Sequence, residues 1–339
     1  MRYVVVGAGA IGGSVGVRLH EAGRSVVLVA RGAQLAAIRQ NGLRLDEPHR
    51  SVVAHLPVVD AVSAVDWGPG DVVLLCTKTQ DSRGVLDQLP ADVPVVCVQN
   101  GVANERWAAE RLATVMGICV QMPAEHLEPG RVAAYAAPVP GVLDIGRYPH
   151  GTDQLTEQIA TDLTAAGFSS QPDPAIMRAK YWKLLGNLGN AAEAACGADD
   201  PDLPALNAAA RAEGERCLTA AGIAFASETE RQLRRADVMA LPLLDGRVRS
   251  GGSTWQSLRR GTGSVESAFI NGEIVALGHR HGVPTPVNAV LARIADAIAL
   301  AGGQPGTKKA ADILVDGPAA DRRAVHSSLS GTSQMPSSD

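Results

Sequence analysis

Short apolar runs alternate with amphipathic segments through the first half of the chain. A β-branched run from Arg2 to Val6 is followed by a helical pattern from Ile11 to Ala22 and by a second apolar run from Ser25 to Ala30. Apolar runs of this length are typical of buried parallel strands, and helices between them give βαβ units. The pattern therefore predicts an α/β fold built on a parallel sheet.

The same alternation continues to about residue 171. Further strands are predicted at 43–45, 51–57, 72–76, 95–98, 115–122 and 168–171, with helices at 34–39, 105–113 and 152–166. Two more apolar runs, 132–136 and 141–145, are predicted to form a hairpin that closes the sheet.

From Pro172 onward the periodicity becomes helical, and we expect helices at 175–195, 206–221, 227–239, 264–281 and 287–301. Three parts follow from this change: an N-terminal domain over 1–171, an all-α C-terminal domain over 172–302 and a disordered tail over 303–339. Within the tail, Ile313 to Val315 is an apolar segment able to dock.

Glycines between the first strand and the first helix form a GxGxxG motif. Gly7 permits a tight turn, Gly9 leaves the backbone open to a pyrophosphate, and Gly12 lets the helix pack on the strand. A glycine turn without a ligand is the alternative, but the position between strand and helix favours a Rossmann-type dinucleotide-binding domain. The helix N-terminus also attracts phosphates. Cofactor contacts are predicted for Gly7, Ala8, Gly9, Ala10, Ile11 and Gly12.

The end of the second strand indicates which dinucleotide is bound. NAD enzymes usually carry an acidic residue there for the ribose hydroxyls, whereas this strand ends Val29-Ala30-Arg31-Gly32. A guanidinium at this point suits the additional phosphate of NADP. Arg31 could instead be a solvated strand end, but the absence of an acid favours NADP.

Two polar residues follow two other predicted strands. Lys78 comes after the run 72–76, and Asn100 comes after the run 95–98. Ligands of open α/β sheets bind beyond the carboxyl ends of the strands, so both residues are candidate ligand contacts. Each alone is also typical of a solvated loop or a turn.

The predicted helix 175–195 carries the main candidates for chemistry. Lys183 and Asn187 lie four residues apart on one face, which Lys180 and Asn190 share. A solvated face is the alternative, but Gly186 and Gly189 are typical of a close approach by another element or a ligand.

Two further candidates lie later in the chain. Ser253 stands in a glycine loop. Glu266 stands in the predicted first turn of a helix whose N-cap is Ser264, a role that explains it without any ligand.

Composition excludes several other classes of protein. An apolar content of 46% and a net charge of −4 describe a globular chain, with no electrostatic case for nucleic acid or membrane binding. The five cysteines are scattered and form no CxxC pair, so neither a metal site nor a disulfide framework is predicted. Reduced thiols favour a cytoplasmic location.

Together the motifs resemble the ketopantoate reductases (2-dehydropantoate 2-reductases) from Met1 to about Ala301. The resemblance is carried by the glycine motif with Arg31, by Lys78, by Gln99-Asn100-Gly101, by Trp182-Lys183-Leu184 with Asn187, by Ser253-Thr254-Trp255-Gln256, by Glu266 before Phe269-Ile270-Asn271-Gly272, and by His281-Gly282-Val283-Pro284-Thr285-Pro286. Their joint order and spacing are specific.

The resemblance implies a reaction and a set of roles. NADPH transfers hydride to the C2 carbonyl of a 2-oxo acid, in pantothenate biosynthesis, and Lys183 is the general acid, with a pKa tuned by burial. A homodimer through the helical domain is compatible with the family, although no apolar stripe requires it. The other implied roles are a bridge between cofactor and substrate for Asn100, substrate binding for Asn187 and Ser253, cofactor contact for Lys78, and a place near the nicotinamide ribose or Lys183 for Glu266.

Two departures from the family pattern lie on the substrate side. Ala191 stands where the family has a second Asn, with Asn190 one residue earlier, and the loop from Gln256 to Glu266 is one residue longer. These departures, together with Glu193, leave open a paralogous reductase of another 2-oxo acid or imine. A non-catalytic NADPH-binding regulator is the other alternative, and the presence of Lys183 and Glu266 argues against it.

Overall fold

The computed structural model describes residues 1–235, 238–244, 251–261 and 263–315. The described chain divides into two units. The first consists of residues 1–184 and the described part of 225–250, and the second consists of residues 185–224 and the described part of 251–315.

Among the described residues, all strands belong to the first unit. They are β1 (Arg2–Val6), β2 (Ser25–Val29), β3 (Leu43–Glu47), β4 (Arg50–Ala54), β5 (Val58–Val59), β6 (Asp71–Leu75), β7 (Val95–Cys97), β8 (Val115–Gln121), β9 (Ala124–Glu128), β10 (Arg131–Ala134), β11 (Ala137–Pro138), β12 (Val142–Arg147) and β13 (Met239–Ala240). A seven-stranded sheet has the order β12-β8-β7-β6-β1-β2-β5. Its neighbours are parallel except for β12 and β8, which confirms the predicted α/β fold.

The helices of the first unit are α1 (Ala10–Glu21), α2 (Gly32–Asn41), α3 (Thr79–Leu86), α4 (Ala103–Ala109), α5 (Gln154–Ala165), most of α6 (Ile176–Asn187) and α9 (Glu228–Arg235). A 3-10 turn covers Val62–Ala64.

Both faces of the seven-stranded sheet are buried. Val5 and Leu74 pack with residues of α1 and α5 on one face, whereas Val4 and Val73 pack with residues of α3 and α4 on the other. Successive side chains of a strand point to opposite faces, so a sheet covered on both sides needs strands that are apolar throughout. This requirement explains the continuous apolar runs in the sequence.

The predicted hairpin of residues 132–136 and 141–145 is wrong. β10 belongs to a second sheet with the order β4-β3-β10-β9, in which it pairs with β3 in parallel and with β9 antiparallel. β12 pairs instead with β8, and the short β11 pairs with β13. The predicted strand at 168–171 is also absent from the described chain, where Ser169 and Pro172 make isolated bridges to β12.

The second unit is helical. It begins within α6 and continues with α7 (Gly189–Cys196), α8 (Leu203–Ala220), α10 (Ser253–Arg259), α11 (Ser267–His281) and α12 (Pro286–Leu300). The single helix predicted at 175–195 is interrupted at Leu188. The carbonyl oxygen of Leu188 accepts a hydrogen bond from Asn271 Nδ2 at 3.0 Å, and Gly189 admits Asn207, whose Oδ1 would lie 2.8 Å from a Cβ at that position.

The division of the chain differs from the boundary predicted near Gln171. The first unit extends to Leu184, and the later segment that begins at Phe225 also belongs to it. Hydrogen bonds attach this later segment to the first unit, because Ala226 N–H donates to the carbonyl of Arg178 and Trp182 Nε1 donates to Glu228.

Part of the tail predicted to be disordered is folded. Lys308 N–H donates to the carbonyl of Ala195, Ala310 N–H donates to Asp200, and Ile313 is buried as its apolar segment suggested. Residues 316–339 lie outside the described residues. Over the described chain, none of the helices has the length and apolar character that crossing a membrane requires.

Candidate active site

Three loops of the first unit meet at the carboxyl edge of the parallel sheet. Gly7 follows β1, Lys78 follows β6 and Asn100 follows β7. In the sheet β6 lies between β1 and β7, with Val6 opposite Leu75 and Leu75 opposite Cys97. Parallel strands end at the same edge, so the structure brings these predicted contacts onto neighbouring loops.

The glycine turn has the geometry that a dinucleotide requires. Gly7 has a φ of +103°, which favours glycine, and a Cβ on Gly12 would lie 2.2 Å from the carbonyl oxygen of Gly7. Around Gly9, no described atom lies within 4 Å of a Cβ built there, so the backbone borders open space. In this described segment no side chain caps α1, and its first turn carries no acidic residue. The turn and the helix N-terminus therefore fit a pyrophosphate.

Arg31 lies at the residue before α2, with a side chain that is 72% exposed. Its Nη2 is 3.4 Å from Oδ1 of Asp81, and exposed ion pairs of this kind contribute little. The guanidinium is thus placed at the end of β2, where a phosphate could replace the carboxylate as its partner.

Gln99 ties the second and third loops together. Its Nε2 donates to the carbonyl of Thr77 and to Oγ of Ser82, both at 2.8 Å. Asn100 stands between this residue and Gly101, which has a φ of +80°. The backbone on either side of Asn100 is therefore constrained, and both Lys78 and Asn100 are half-buried.

Several buried amides at this edge keep unused hydrogen-bonding capacity. Within the described residues, Oε1 of Gln99, Oδ1 of Asn104 and both amide atoms of Gln121 have no hydrogen-bond partner. Buried polar groups are normally satisfied, so this concentration is typical of a region that meets a polar ligand or water. Neither Gln121 nor Asn104 is among the functional residues predicted from the sequence.

Lys183 lies on α6, half-buried rather than fully buried. Burial raises the pKa of the Cys119 thiol on β8, and the positive charges of Arg231 and Lys183 act against that rise. The charge of Lys183 therefore acts on Cys119 of β8, the strand next to β7.

A buried ion pair that the sequence pattern does not predict lies near these loops. Nζ of Lys180 lies 2.6 Å from Oε1 of Glu105, and both side chains are almost completely buried. The same ammonium donates to the carbonyl oxygens of Gln99 at 2.9 Å and Ile118 at 3.3 Å. Burial raises the pKa of Glu105, and the charge of Lys180 opposes the rise.

In the second unit, Asn187 and Ser253 occupy different environments. Asn187 is buried, and its Nδ2 has no hydrogen-bond partner among the described residues, which leaves a donor for a ligand. Ser253 begins α10, and its Oγ accepts a hydrogen bond from Asn190 Nδ2 at 3.3 Å. Glu193 accepts from the N–H of Gly252 at 3.1 Å. Asn190 and Glu193, on either side of the departure at Ala191, therefore hold the segment that presents Ser253.

Glu266 is buried and occupies the N-cap of α11. The prediction of Ser264 as the N-cap and Glu266 in the first turn is therefore wrong by position. Helix α11 begins at Ser267, whose Oγ donates to Oδ1 of Asp296 at 2.5 Å. Thr262, in the loop between Gln256 and Glu266, lies outside the described residues.

Metal-ligating side chains do not gather in the described part of the chain, where no group of three or more His, Cys, Asp or Glu residues could hold an ion. The five cysteines are free thiols.

Comparison with protein families gives two adjacent matches. The family described as ketopantoate reductase PanE/ApbA matches residues 3–150, and the C-terminal domain of the same family matches residues 175–299.

Individual relatives agree with this match. The chain is 30% identical to a 2-dehydropantoate 2-reductase from Archaeoglobus fulgidus and 27% identical to one from Pyrococcus horikoshii, each over 86% of the chain and 95% of the relative. A crystal structure of a PanE/ApbA family ketopantoate reductase from Ralstonia eutropha has a TM-score of 0.74 at 27% identity, over 89% of this chain and 99% of the other.

A D-mandelate dehydrogenase solved with NADH and anilino(oxo)acetate shares the fold, with a TM-score of 0.77 at 20% identity over 89% of this chain and 99% of the other. The family matches together cover most of the chain on both sides of residue 172. The chain belongs to the ketopantoate reductase PanE/ApbA family.

Proposed function

We propose that this protein catalyses the NADPH-dependent reduction of 2-dehydropantoate to pantoate, a step of pantothenate biosynthesis. The observation that carries the proposal is the family match over both 3–150 and 175–299. The open glycine turn and the neighbouring loops of Lys78 and Asn100 support it from the side of the chemistry.

The choice of NADPH rests on Arg31. The end of β2 carries this exposed guanidinium and no acidic residue, and guanidinium is well suited to a phosphate on the ribose. The residues of the glycine motif, Gly7 to Gly12, hold the pyrophosphate, and Lys78 contacts the cofactor from the next loop.

In the proposed mechanism, Lys183 is the proton donor. When bound, NADPH would supply the hydride that C2 of the 2-oxo acid accepts. Nζ of Lys183 gives its proton to the carbonyl oxygen, and its positive charge stabilises the negative charge that develops there. The product is the 2-hydroxy acid, and Lys183 regains a proton from solvent.

The other candidate residues bind and orient. Asn100 contacts cofactor and substrate, Asn187 offers its unused Nδ2 to the substrate, and Ser253 binds its hydroxyl or carboxylate. Glu266 contacts the nicotinamide ribose or Lys183. The five free thiols suit a reducing compartment, and we assign the protein to the cytoplasm on that basis.

Reduction of a different 2-oxo acid or an imine is the second candidate. The carboxylate of Glu193 at Gly252 and the hydrogen bond from Asn190 to Ser253 favour it. Compared with the family pattern, these contacts change the polarity and the hydrogen bonding next to Ser253, which is proposed to bind substrate.

A substrate panel tests the proposal. Purified full-length protein is mixed with NADPH and with 2-dehydropantoate, other 2-oxo acids or cyclic imines, and the loss of reduced nicotinamide is followed. We expect the highest kcat/KM with 2-dehydropantoate. A higher value with another compound would support the second candidate. NADPH binding without turnover of any compound would support the alternative of a non-catalytic NADPH-binding regulator.

A further inference from the structure

The ion pair of Lys180 and Glu105 joins two parts of the candidate site. Lys180 lies on α6, three residues before Lys183, and Glu105 lies on α4, directly after the Gln99-Asn100-Gly101 loop. Lys180 also donates to the carbonyl oxygen of Gln99, the residue before Asn100. One ammonium thus holds the helix that carries the proposed acid to the loop that carries Asn100.

The surroundings of the pair are built to accommodate it. Lys180 pairs with Oε1 of Glu105 at 2.6 Å and donates hydrogen bonds to the carbonyl oxygens of Gln99 and Ile118, whereas Oε2 of Glu105 has no hydrogen-bond partner among the described residues. Gly117 on β8 makes room, since a Cβ there would lie 3.1 Å from Oε1 of Glu105 and 3.2 Å from Cδ of Lys180. The described residues therefore pack closely around this ion pair. Its two charged groups are in direct contact, which leaves no space for a ligand between them.

Stability alone is a poor explanation for such a pair. Removing two charges from water is costly, and two apolar residues of similar volume often replace a buried ion pair without loss of stability. The pair instead fixes a geometry, because charge-assisted hydrogen bonds are directional and short. Gln99 of the same loop also donates two hydrogen bonds, to the carbonyl oxygen of Thr77 and to Oγ of Ser82.

We propose that Lys180 and Glu105 are positioning residues of the reductase site, which set the Asn100 loop relative to helix α6 and so to Lys183. Neither residue touches the reacting atoms. This inference rests on the proposed function for its consequence in catalysis, whereas the anchoring of the loop can be measured without any substrate.

The test replaces the pair by apolar residues of similar size in the double variant Lys180→Met/Glu105→Leu. Single removal leaves an uncompensated buried charge and lowers the melting temperature more, so the double variant is the informative one. Arg131→Met is the matched control. It removes one ion pair of the buried Asp46 in the four-stranded sheet of the same unit, where Arg44 still pairs with that carboxylate.

Hydrogen exchange of the peptide 98–104 is the first readout. We expect it to become at least about tenfold faster in the double variant and to stay unchanged in the control, because only the double variant loses the bond to Gln99. The second readout is turnover: kcat falls by about 100-fold, as a misplacement of about 1 Å produces, and the affinity for NADPH, which the glycine turn also holds, falls by a smaller factor.

Unchanged exchange in the folded double variant would overturn the inference. Faster exchange with kcat equal to that of the control would also overturn it, because the anchor would then have no effect on the reaction. A wild-type protein inactive on the whole panel would reject the proposed function, while faster exchange in the double variant would still support the anchor.

Discussion

At the scale of single residues, the chemistry assigned to Lys183 makes the sharpest prediction. Replacing it by alanine removes both the proton and the positive charge, so kcat falls by about 10²- to 10⁴-fold. The glycine turn is unaltered, and NADPH affinity therefore stays close to that of the wild type. Steady-state rates and a fluorescence titration of NADPH separate the two effects.

Lys183→Arg tells proton transfer from charge stabilisation. Arginine keeps the charge but does not give up its proton in proteins. An arginine variant as slow as the alanine variant supports the role of general acid. Recovery of most of the wild-type rate would mean that Lys183 acts through its charge alone.

Arg31 is predicted to select the phosphorylated cofactor. Losing a charge-assisted hydrogen bond to phosphate costs about 1.5–3 kcal/mol, so Arg31→Ala raises the KM for NADPH by about 10- to 150-fold. The KM for NADH, which lacks that phosphate, stays nearly constant. The control is Arg39→Ala, which removes an exposed basic residue from the last turn of α2, the helix that begins after Arg31. An equal change for both cofactors would remove the basis for NADP selection.

At the scale of elements, the apolar pattern is sufficient for the central sheet. Each buried strand needs apolar residues on both faces, and the glycine motif marks the turn to α1. The sheet to which β10 belongs is not encoded locally. Its partner β3 is distant in the chain, and the apolar side chains of β10 would suit either sheet.

Only part of the candidate site could be predicted from the sequence. Strand ends are visible in the sequence, so Lys78 and Asn100 could be named. Glu105 and Lys180 lie on helices, where charged residues usually indicate a solvated face. Gly117, which interrupts the apolar run of β8, was the available signal of a close approach by side chains.

Two glycines that look alike in sequence are predicted to respond oppositely to alanine. Gly186 on α6 is exposed, with no described atom near a Cβ, so Gly186→Ala stabilises the protein by about 0.5–1 kcal/mol through helix propensity. A Cβ on Gly146 of β12 would lie 2.0 Å from the backbone oxygen of Asp173, so Gly146→Ala destabilises it by about 1–3 kcal/mol. Urea denaturation measures both, and a destabilised Gly186→Ala would contradict the helical propensity argument.

At the scale of the whole molecule, an ion pair joins two central strands of the first unit at their amino ends. Arg2 of β1 donates to both carboxylate oxygens of Asp71 on β6, at 2.8 and 2.6 Å, and the N–H of Gly68 donates at 2.8 Å. Burial raises the pKa of Asp71, but the hydrogen bonds from Arg2 and Gly68 outweigh it. The pKa of Asp71 therefore lies below its ordinary value of 3.8.

A depressed carboxyl pKa makes the stability of the fold depend on pH in a defined direction. The folded protein binds the proton of Asp71 less readily than the unfolded chain does, so the stabilisation is complete above about pH 4 and is lost as the pH falls through the folded pKa. The difference in unfolding free energy between wild type and Asp71→Asn is therefore constant near neutrality and shrinks toward about pH 3. Asp87→Asn, which alters an ion pair with 62% of its carboxylate side chain exposed, changes stability by less than about 0.5 kcal/mol. Urea titrations of both variants across this range decide the matter, and a difference for Asp71→Asn that grows on acidification would show that the carboxylate is not held by Arg2.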